Sequence, residues 1–314
     1  LGVGLFVELE ALALLDSEHE PRLEEERQAR LGGVGAHDDL LERLDAARAA
    51  GASVGFVPTM GYLHQGHASL IDAAVAADDL TVVSIFVNPL QFVPGEDLAD
   101  YPRDLDADLA RCGEHGADLV FHPTAAEVYP EGTDEPVAVG AIGGSLEGAS
   151  RPTHFDGVAT VVARLFRIVG RCRAYFGEKD FQQLAVVHRM VADLELPVEV
   201  MGCPIVRESD GLALSSRNIY LEPDERRQAP VLYRALLSGV AAVEGGGVDP
   251  VAVVGAMEAV LADAPDLAVD YAALVESDTF AVPERIATGS EVRLLVAGRL
   301  GRARLIDNVG ATAP

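Results

Sequence analysis

The chain has 314 residues, and its 50 acidic side chains against 24 basic ones give a formal net charge of −26. Because a phosphate backbone is bound through a basic surface, this charge argues against nucleic acid as a partner. Apolar residues make up 49% of the sequence, yet no uninterrupted apolar run reaches the roughly 18 residues of a membrane span, so no membrane partner is expected. The three cysteines, Cys112, Cys172 and Cys203, form no C-x-x-C pair. They predict buried free thiols in a reducing, cytoplasmic compartment.

The first 36 residues differ in character from the rest of the chain. They carry the acidic run Glu24-Glu25-Glu26 and end in Gly32-Gly33-Val34-Gly35. This composition predicts an N-terminal extension, partly disordered and outside the functional core. The apolar residues 1–7 have neither a basic segment before them nor a small-residue cleavage site after them, which argues against a signal peptide.

Helical and strand patterns then alternate along residues 37–205. Leucines and alanines at the helical period predict a helix over 38–50. Short apolar runs, separated by helical stretches, follow at 54–57, 81–87, 118–121, 173–176 and 198–201. Strands that alternate with helices predict a Rossmann-like, doubly wound parallel sheet, the predicted catalytic domain.

The pattern changes after Cys203-Pro204. Helices are predicted over 223–244 and 249–262, and short strands over 269–275, 292–296 and 303–306. Residues 206–314 are therefore predicted to form a smaller α+β domain, with the boundary near 205.

Two histidines lie at the turn that follows the first predicted strand of this sheet. Residues 58–67 read Pro-Thr-Met-Gly-Tyr-Leu-His-Gln-Gly-His and lead into a predicted helix over 68–77. The first N–H groups of a helix lack internal partners and attract anions, phosphate above all. A zinc site and a purely structural turn are the alternatives, but no cysteine or nearby carboxylate completes a tetrahedral zinc set. A nucleotide phosphate is the favoured ligand.

Lys179 is the only lysine, so 23 of the 24 basic residues are arginine. A lysine kept in such a composition indicates a need for a compact ammonium on a flexible stem, although chance is the competing explanation. It follows the predicted strand 173–176 and precedes Asp180, a predicted cap for the helix over 184–194. Since open α/β sheets bind ligands at the carboxyl ends of their strands, Lys179 is predicted to bind phosphate.

Polar residues of three other segments complete the candidate site. Ser215, Ser216 and Arg217 follow a glycine-led loop and have the groups that bind phosphate oxygens, although an ordinary turn is an equal alternative. Gln91 follows the strand 81–87, and Gln183 lies one turn beyond Lys179. Their neutral amides predict contacts to a hydroxyl or carboxylate of a small substrate.

Five segments in chain order carry a resemblance to a known family. They are Pro-Thr-Met-Gly-x-Leu-His-x-Gly-His, Asn-Pro-x-Gln-Phe, His-Phe-x-Gly-Val, Phe-Gly-Glu-Lys-Asp-x-Gln-Gln and Asp-Gly-Leu-Ala-x-Ser-Ser-Arg-Asn. Together they resemble the pantothenate synthetases (pantoate–β-alanine ligases), which belong to the His-x-Gly-His nucleotidyltransferase superfamily. The resemblance extends from about residue 38 to the C-terminus.

The resemblance implies ligation of pantoate to β-alanine through a pantoyl-adenylate, with ATP and Mg²⁺, no prosthetic group, and a homodimer. It assigns the chemistry to His64, His67 and Lys179, and the substrate contacts to Gln91 and Gln183. Asp108 is the candidate metal ligand. The implied ATP contacts are Met60, Gly61, Tyr62, Leu63, His64, Gln65, Gly66, His67, Gly177, Glu178, Lys179, Asp180, Val206, Leu214, Ser215, Ser216 and Arg217. The remaining alternatives are a nucleotidyltransferase that makes a dinucleotide or CDP-type product and a catalytically silent nucleotide-binding protein.

Overall fold

The computed structural model describes residues 34–35, 37–91, 103–130 and 136–314; the side chains of residues 34, 35 and 91 are not included. The larger sheet has six parallel strands in the order β1-β4-β3-β2-β5-β6. These strands are β1 (Val34–Gly35), β2 (Val54–Thr59), β3 (Leu80–Ile85), β4 (Leu119–Phe121), β5 (Cys172–Gly177) and β6 (Val198–Cys203).

Helices cover both faces of this sheet. They are α1 (His37–Ala49), α2 (Gln65–Ala77), α3 (Leu105–Glu114), α4 (Ala125–Val128), α5 (Glu147–Ser150), α6 (His154–Val169) and α7 (Phe181–Asp193). Alternate residues of β2 point to opposite faces of the sheet. Phe56 belongs to the hydrophobic core that includes residues of α1, α6 and α7, and Val57 belongs to the core that includes residues of α2 and α3. The predicted doubly wound parallel sheet is confirmed.

The chain reverses its direction of winding at β2. From β2 it moves outward through β3 and β4, and it then returns to β5 on the other side of β2. The carboxyl ends of β2 and β5 therefore flank a topological switch point, the place where open α/β sheets bind ligands. The histidine turn follows β2 and the Lys179 turn follows β5, so the topology brings these two turns together.

The C-terminal part contains a second sheet and a second core. Strands β7 (Ala268–Glu276), β8 (Glu291–Leu300) and β9 (Ala303–Thr312) are antiparallel and adjacent in that order. Helices α8 (Pro223–Gln228), α9 (Val231–Glu244) and α10 (Pro250–Leu261) complete this part, and α9 and α10 contribute buried residues to its core. The predicted boundary near 205 lies between the end of β6 and Leu212, the first residue of this core.

Several predicted elements differ from the observed ones. The helix predicted over 223–244 is two helices, separated at Ala229 and Pro230, because proline has no N–H to continue a helix. Strands β8 and β9 have ten residues each and extend beyond the short runs predicted. Val34–Gly35, predicted to belong to the extension, pairs with β4; residues 1–33 and 36 lie outside the description.

Two other predictions concern the cysteines and membrane spans. Cys112, Cys172 and Cys203 are buried and free, as predicted. Burial raises the pKa of Cys112 and of Cys172 to about 12. Among the helices in the described ranges, none has the length and hydrophobicity to cross a membrane.

Candidate active site

Each of the two histidines of the turn accepts a hydrogen bond from the backbone, in both cases through its Nδ1 atom. His64 is the N-cap of α2, and its Nδ1 accepts from the N–H of Gly66 at 3.1 Å. Nδ1 of His67 accepts from the N–H of His64 at 3.3 Å. A neutral imidazole has one protonated nitrogen, so this pattern places the proton of both rings on Nε2. Each ring is thereby an Nε2–H donor.

Glycine at position 66 allows the His64 ring to fold over the turn. A Cβ atom at Gly66 would lie 2.9 Å from Cε1 of His64, closer than side-chain carbons approach. The two imidazole rings are 4.2 Å apart between centroids and inclined by 35°. The turn thus holds both donors within one small volume at the start of α2.

Burial keeps these histidines neutral. It lowers the pKa of His67 to about 3. The neighbouring His64 is the next cause and also lowers this pKa, whereas Asp180 raises it by more than Lys179 lowers it. Burial also lowers the pKa of His64, with Lys179 as the next cause. At neutral pH, therefore, neither ring supplies a positive charge before a ligand binds.

Asp108 anchors the turn from α3. Its side chain is buried, Oδ2 accepts the N–H of Tyr62 at 2.8 Å, and Oδ1 accepts the N–H of Leu63 at 2.7 Å. Gly61 has φ +82°, and a Cβ there would lie 2.8 Å from Oδ2 of Asp108. Both carboxylate oxygens accept hydrogen bonds from the backbone, so the structure does not support Asp108 as a metal ligand. No group of three or more potential ligands occurs among the residues with described side chains.

Lys179 lies in a single 3-10 turn, Glu178–Asp180, between β5 and α7. Its side chain is 19% exposed, and Nζ is 3.8 Å from Oδ1 of Asp180. Asp180 occupies the N-cap position of α7 but makes no side-chain capping bond, contrary to the sequence prediction. The Lys179 ammonium thus has one acidic neighbour in its own turn.

Ser215, Ser216 and Arg217 follow a short hairpin. The N–H of Leu214 donates to the carbonyl of Val206 at 2.9 Å, and an antiparallel bridge joins Arg207 to Ala213. Ser215 Oγ then accepts the N–H of Arg217 at 3.2 Å and starts the 3-10 turn Ser216–Tyr220. The hairpin therefore determines where the two serines and the arginine lie.

These three loops line one cleft of about 270 Å³ at the switch point. The predicted site residues along its wall are Met60, His64, Gly66, His67, Gly177, Lys179, Asp180, Gln183, Val206, Leu214, Ser215, Ser216 and Arg217. A second cavity of about 480 Å³ shares Lys179, Gln183 and Arg217 with it and continues between the two domains. The structure thus brings together most of the residues that the sequence predicted.

Five of the predicted ATP-binding residues do not line this cleft. Tyr62 and Leu63 bond to Asp108 through their N–H groups, and the Glu178 carboxylate accepts from Arg293. The other two are Gly61, which is buried, and Gln65, which is exposed at the start of α2. The side chain of Gln91 lies outside the described part of the chain, so its predicted role stays a prediction.

Comparison with known proteins identifies the family. The profile of the pantoate-beta-alanine ligase family matches residues 34–310. A pantothenate synthetase from Deinococcus radiodurans is 54% identical over 277 residues, which cover 86% of this chain and 98% of that protein. One from Thermus thermophilus is 55% identical over 257 residues, 82% of this chain and 92% of the relative. The chain belongs to the pantoate–β-alanine ligase family.

Solved structures of the family share the fold. A crystal structure of the pantothenate synthetase from Thermus thermophilus superposes with a TM-score of 0.79 at 52% identity, covering 86% of this chain and 98% of that one. A pantoate-beta-alanine ligase from Francisella tularensis, complexed with beta-gamma ATP and beta-alanine, has a TM-score of 0.67 at 31% identity. That alignment covers 86% of this chain and 95% of the other.

The structure adds polar residues to those that the sequence assigned to the site of this family member. Arg151 Nη1 and His154 Nε2 are 2.9 Å apart at the start of α6, and both residues line the cleft. The His-Phe-x-Gly-Val segment was the available signal, since it contributed to the family resemblance. Gln182 is buried and bonds to Ile142, Ser145 and Glu147 through their backbone. Nothing in the sequence distinguished it from Gln183.

Proposed function

We propose that this chain uses ATP to join pantoate to β-alanine, with a pantoyl-adenylate as intermediate. The observation that carries the proposal is the cleft at the switch point, which is lined by two neutral Nε2–H donors, His64 and His67, together with Lys179 and Gln183. The names of the relatives support the overall reaction, and the beta-gamma ATP and beta-alanine named for the Francisella tularensis complex support both ligand classes.

In the first step, a carboxylate oxygen of pantoate attacks the α-phosphorus of ATP. A P–O bond forms, the bond from the α-phosphorus to the bridging oxygen breaks, and pyrophosphate leaves with the electron pair. His64 and His67 donate Nε2–H bonds to phosphoryl oxygens as negative charge grows there, and Lys179 adds a positive charge. Gln91 and Gln183 hold pantoate, while Ser215, Ser216 and Arg217 hold the departing pyrophosphate.

In the second step, the neutral amine of β-alanine attacks the acyl carbon of the adenylate. The C–N bond forms, the C–O bond to AMP breaks, and the nitrogen loses a proton. Because water would compete with the amine for the same carbon, the intermediate has to stay enclosed. The second cavity between the domains offers a volume of about 480 Å³ next to Lys179 and Gln183.

Magnesium enters this proposal as part of the ATP substrate. Both oxygens of Asp108 accept backbone N–H bonds, so we expect phosphate oxygens and water to supply most ligands of the ion. A homodimer and a cytoplasmic location, both expected from the sequence, stay predictions. Sedimentation equilibrium of the purified chain tests the first, and fractionation of the source cells tests the second.

The first half-reaction is tested by ATP–pyrophosphate exchange with pantoate and Mg²⁺ present and β-alanine absent. Exchange that requires pantoate is expected, and Lys179→Ala should lower its rate about a hundredfold or more. Lys179→Arg is the matched variant, since it keeps the charge but replaces the compact ammonium. ATP binding without exchange would reject the adenylate pathway and favour a nucleotidyltransferase or a silent nucleotide binder.

A further inference from the structure

Two adjacent residues of β9 connect the C-terminal sheet to two loops of the site, the turn Glu178–Asp180 that carries Lys179 and the loop Ser215–Arg217. Asp307 is 3% exposed and Asn308 is 2% exposed, although both side chains are polar. Buried polar groups of this kind are costly unless they are fully hydrogen-bonded. Their partners therefore indicate what these two residues do.

Asn308 holds the turn that carries Lys179. Its Nδ2 donates to the carbonyl oxygens of Glu178 and Lys179, each at 2.9 Å. One amide group thus spans two consecutive peptide units of the 3-10 turn. The backbone from which the Lys179 side chain projects is tied to the second sheet rather than to its own domain alone.

Arg293 of β8 fixes the orientation of this amide. Its Nε donates to Oδ1 of Asn308 at 2.6 Å, and its Nη2 donates to the carboxylate of Glu178 at 2.8 Å. The guanidinium also lies 4.1 Å from the ring centroid of Phe181, the first residue of α7. Since Arg293 can only donate, Oδ1 faces it and Nδ2 must face the two carbonyls.

Asp307 holds the hairpin that precedes the Ser215–Arg217 loop. Its carboxylate accepts two bonds from Arg207, at 2.6 and 2.9 Å. Arg207 also donates to the carbonyl of Gly211 at 3.0 Å and lies 3.9 Å from the ring centroid of Tyr233. Because Arg207 belongs to the hairpin that ends at Leu214, this ion pair positions the segment that continues into Ser215, Ser216 and Arg217.

We propose that Asp307 and Asn308 are positioning residues that set the distance between the Lys179 turn and the Ser215–Arg217 loop. Two neighbouring residues of one strand, whose side chains leave it in opposite directions, each hold one loop, so β9 determines where the two loops lie relative to each other. This inference rests on the proposed function, because it assigns both loops to the phosphates of ATP. A small displacement of either loop would misplace groups that act on the same triphosphate.

The effect should be confined to one half-reaction. The Ser215–Arg217 loop holds the pyrophosphate, which has departed before β-alanine reacts. The Lys179 turn, which acts on the α-phosphate, therefore has to be placed relative to that loop only while the intact triphosphate is bound. Loss of the positioning contacts should therefore slow adenylation while the aminolysis of a supplied pantoyl-adenylate keeps its rate. A residue that served only to stabilise the fold would not separate the two steps.

The test compares these two steps in variants of Asn308. Asn308→Asp keeps the shape and the contact to Arg293 but replaces both N–H donors by an oxygen that faces two carbonyls. We expect pantoate-dependent ATP–pyrophosphate exchange to fall about 10- to 100-fold. Release of AMP from synthetic pantoyl-adenylate and β-alanine should stay within about twofold of wild type. Should Asn308→Asp fail to fold, Asn308→Ser, which keeps one hydroxyl donor, is measured in the same way.

Ser238→Ala is the control in the same C-terminal domain. It removes one partly buried hydrogen bond, from the Ser238 hydroxyl of α9 to the carbonyl of Ala256 in α10 at 3.3 Å, and Ser238 is not among the residues that line the two cavities of the site. Exchange by this variant should match wild type. Exchange that survives in the Asn308 variants, or an equal fall in both half-reactions, would overturn the inference. Absence of pantoate-dependent exchange in the wild-type chain would instead count against the proposed function.

Discussion

At the scale of single residues, His67 differs from a free imidazole in both tautomer and charge. Its Nδ1 accepts a backbone N–H, and burial lowers its pKa to about 3. In the unfolded chain the ring binds its proton with a pKa of about 6.5. The unfolded state therefore holds more protons between these values, and the stability contributed by neutral His67 is lost as the pH falls from about 6.5 to about 3.

We predict that His67 stays neutral, with its proton on Nε2, from pH 8 down to pH 5. ¹⁵N-detected NMR of the imidazole rings in labelled protein measures both properties, and the His67→Asn variant identifies its signal. The same signal should titrate near 6.5 in urea. A folded-state titration close to that value would contradict the neutral-donor role.

Asp108 gives a second prediction at this scale. In Asp108→Asn, an NH₂ group would face the N–H of either Tyr62 or Leu63, so one buried backbone donor would lose its acceptor. We expect the free energy of unfolding to fall by about 1–3 kcal/mol, together with weaker ATP binding because the histidine turn is released. Denaturant unfolding and equilibrium binding of ATP measure the two effects.

The control for Asp108→Asn lies at the start of the same helix. Asp104 is the exposed N-cap of α3 and accepts the N–H of Ala107 at 3.1 Å. Asparagine caps a helix about as well as aspartate, so Asp104→Asn should be nearly neutral. If Asp108 were a metal ligand instead, its variant would keep its stability and need more Mg²⁺ for activity.

At the scale of elements, the hairpin before Ser215 depends on Gly211. This residue has φ +93°, and a Cβ there would lie 2.4 Å from Cδ1 of Tyr233. Gly211→Ala therefore combines backbone strain with a steric clash, and we expect a loss of about 2–4 kcal/mol in the free energy of unfolding. Denaturant titration of both proteins gives the difference.

Gly246→Ala separates the two causes. Gly246 has φ +87°, but nothing lies within 4 Å of the position of its Cβ. This variant should lose only the strain, about 1 kcal/mol. Equal losses of unfolding free energy in the two variants would show that the clash of the added methyl group with Tyr233 costs nothing beyond the backbone strain.

The sequence predicted the buried parallel strands and β7 more closely than β8 and β9. Strands buried on both faces are continuous apolar runs, and β2, β3 and β5 begin and end within about two residues of the prediction. The bounds of β7 differ from the prediction by one residue at each end. The predicted β9 stopped at Ile306, directly before the polar residues Asp307 and Asn308, whereas the observed strand continues to Thr312. Asp307 and Asn308 are buried strand residues whose polar groups bond to Arg207, Arg293 and the Lys179 turn. Such partners come from tertiary structure.

At the scale of the whole molecule, the same distinction applies to the site. Groups next to a strand end or a helix start were found from local patterns, as His64, His67 and Lys179 show. Asp108, Arg293 and Asn308 act through segments between about 45 and 130 residues away. No local pattern marks a residue whose partner is that distant. The positioning contacts of this enzyme family member are therefore visible only in the folded chain.

Net charge gives the last prediction. With a formal charge of −26, the folded chain repels itself more strongly than its unfolded form, in which the charges are farther apart. Raising NaCl from about 20 mM to about 500 mM shortens the screening length from about 20 Å to about 4 Å. We expect the Tm to rise by roughly 2–3 °C, a gain of about 1–2 kcal/mol. Calorimetry checks this, and choline chloride at equal ionic strength should give the same rise if screening is the cause. A Tm that did not change, or that fell, over this range would mean that the ion pairs of this chain, such as the buried one between Asp307 and Arg207, outweigh the repulsion among its acidic groups.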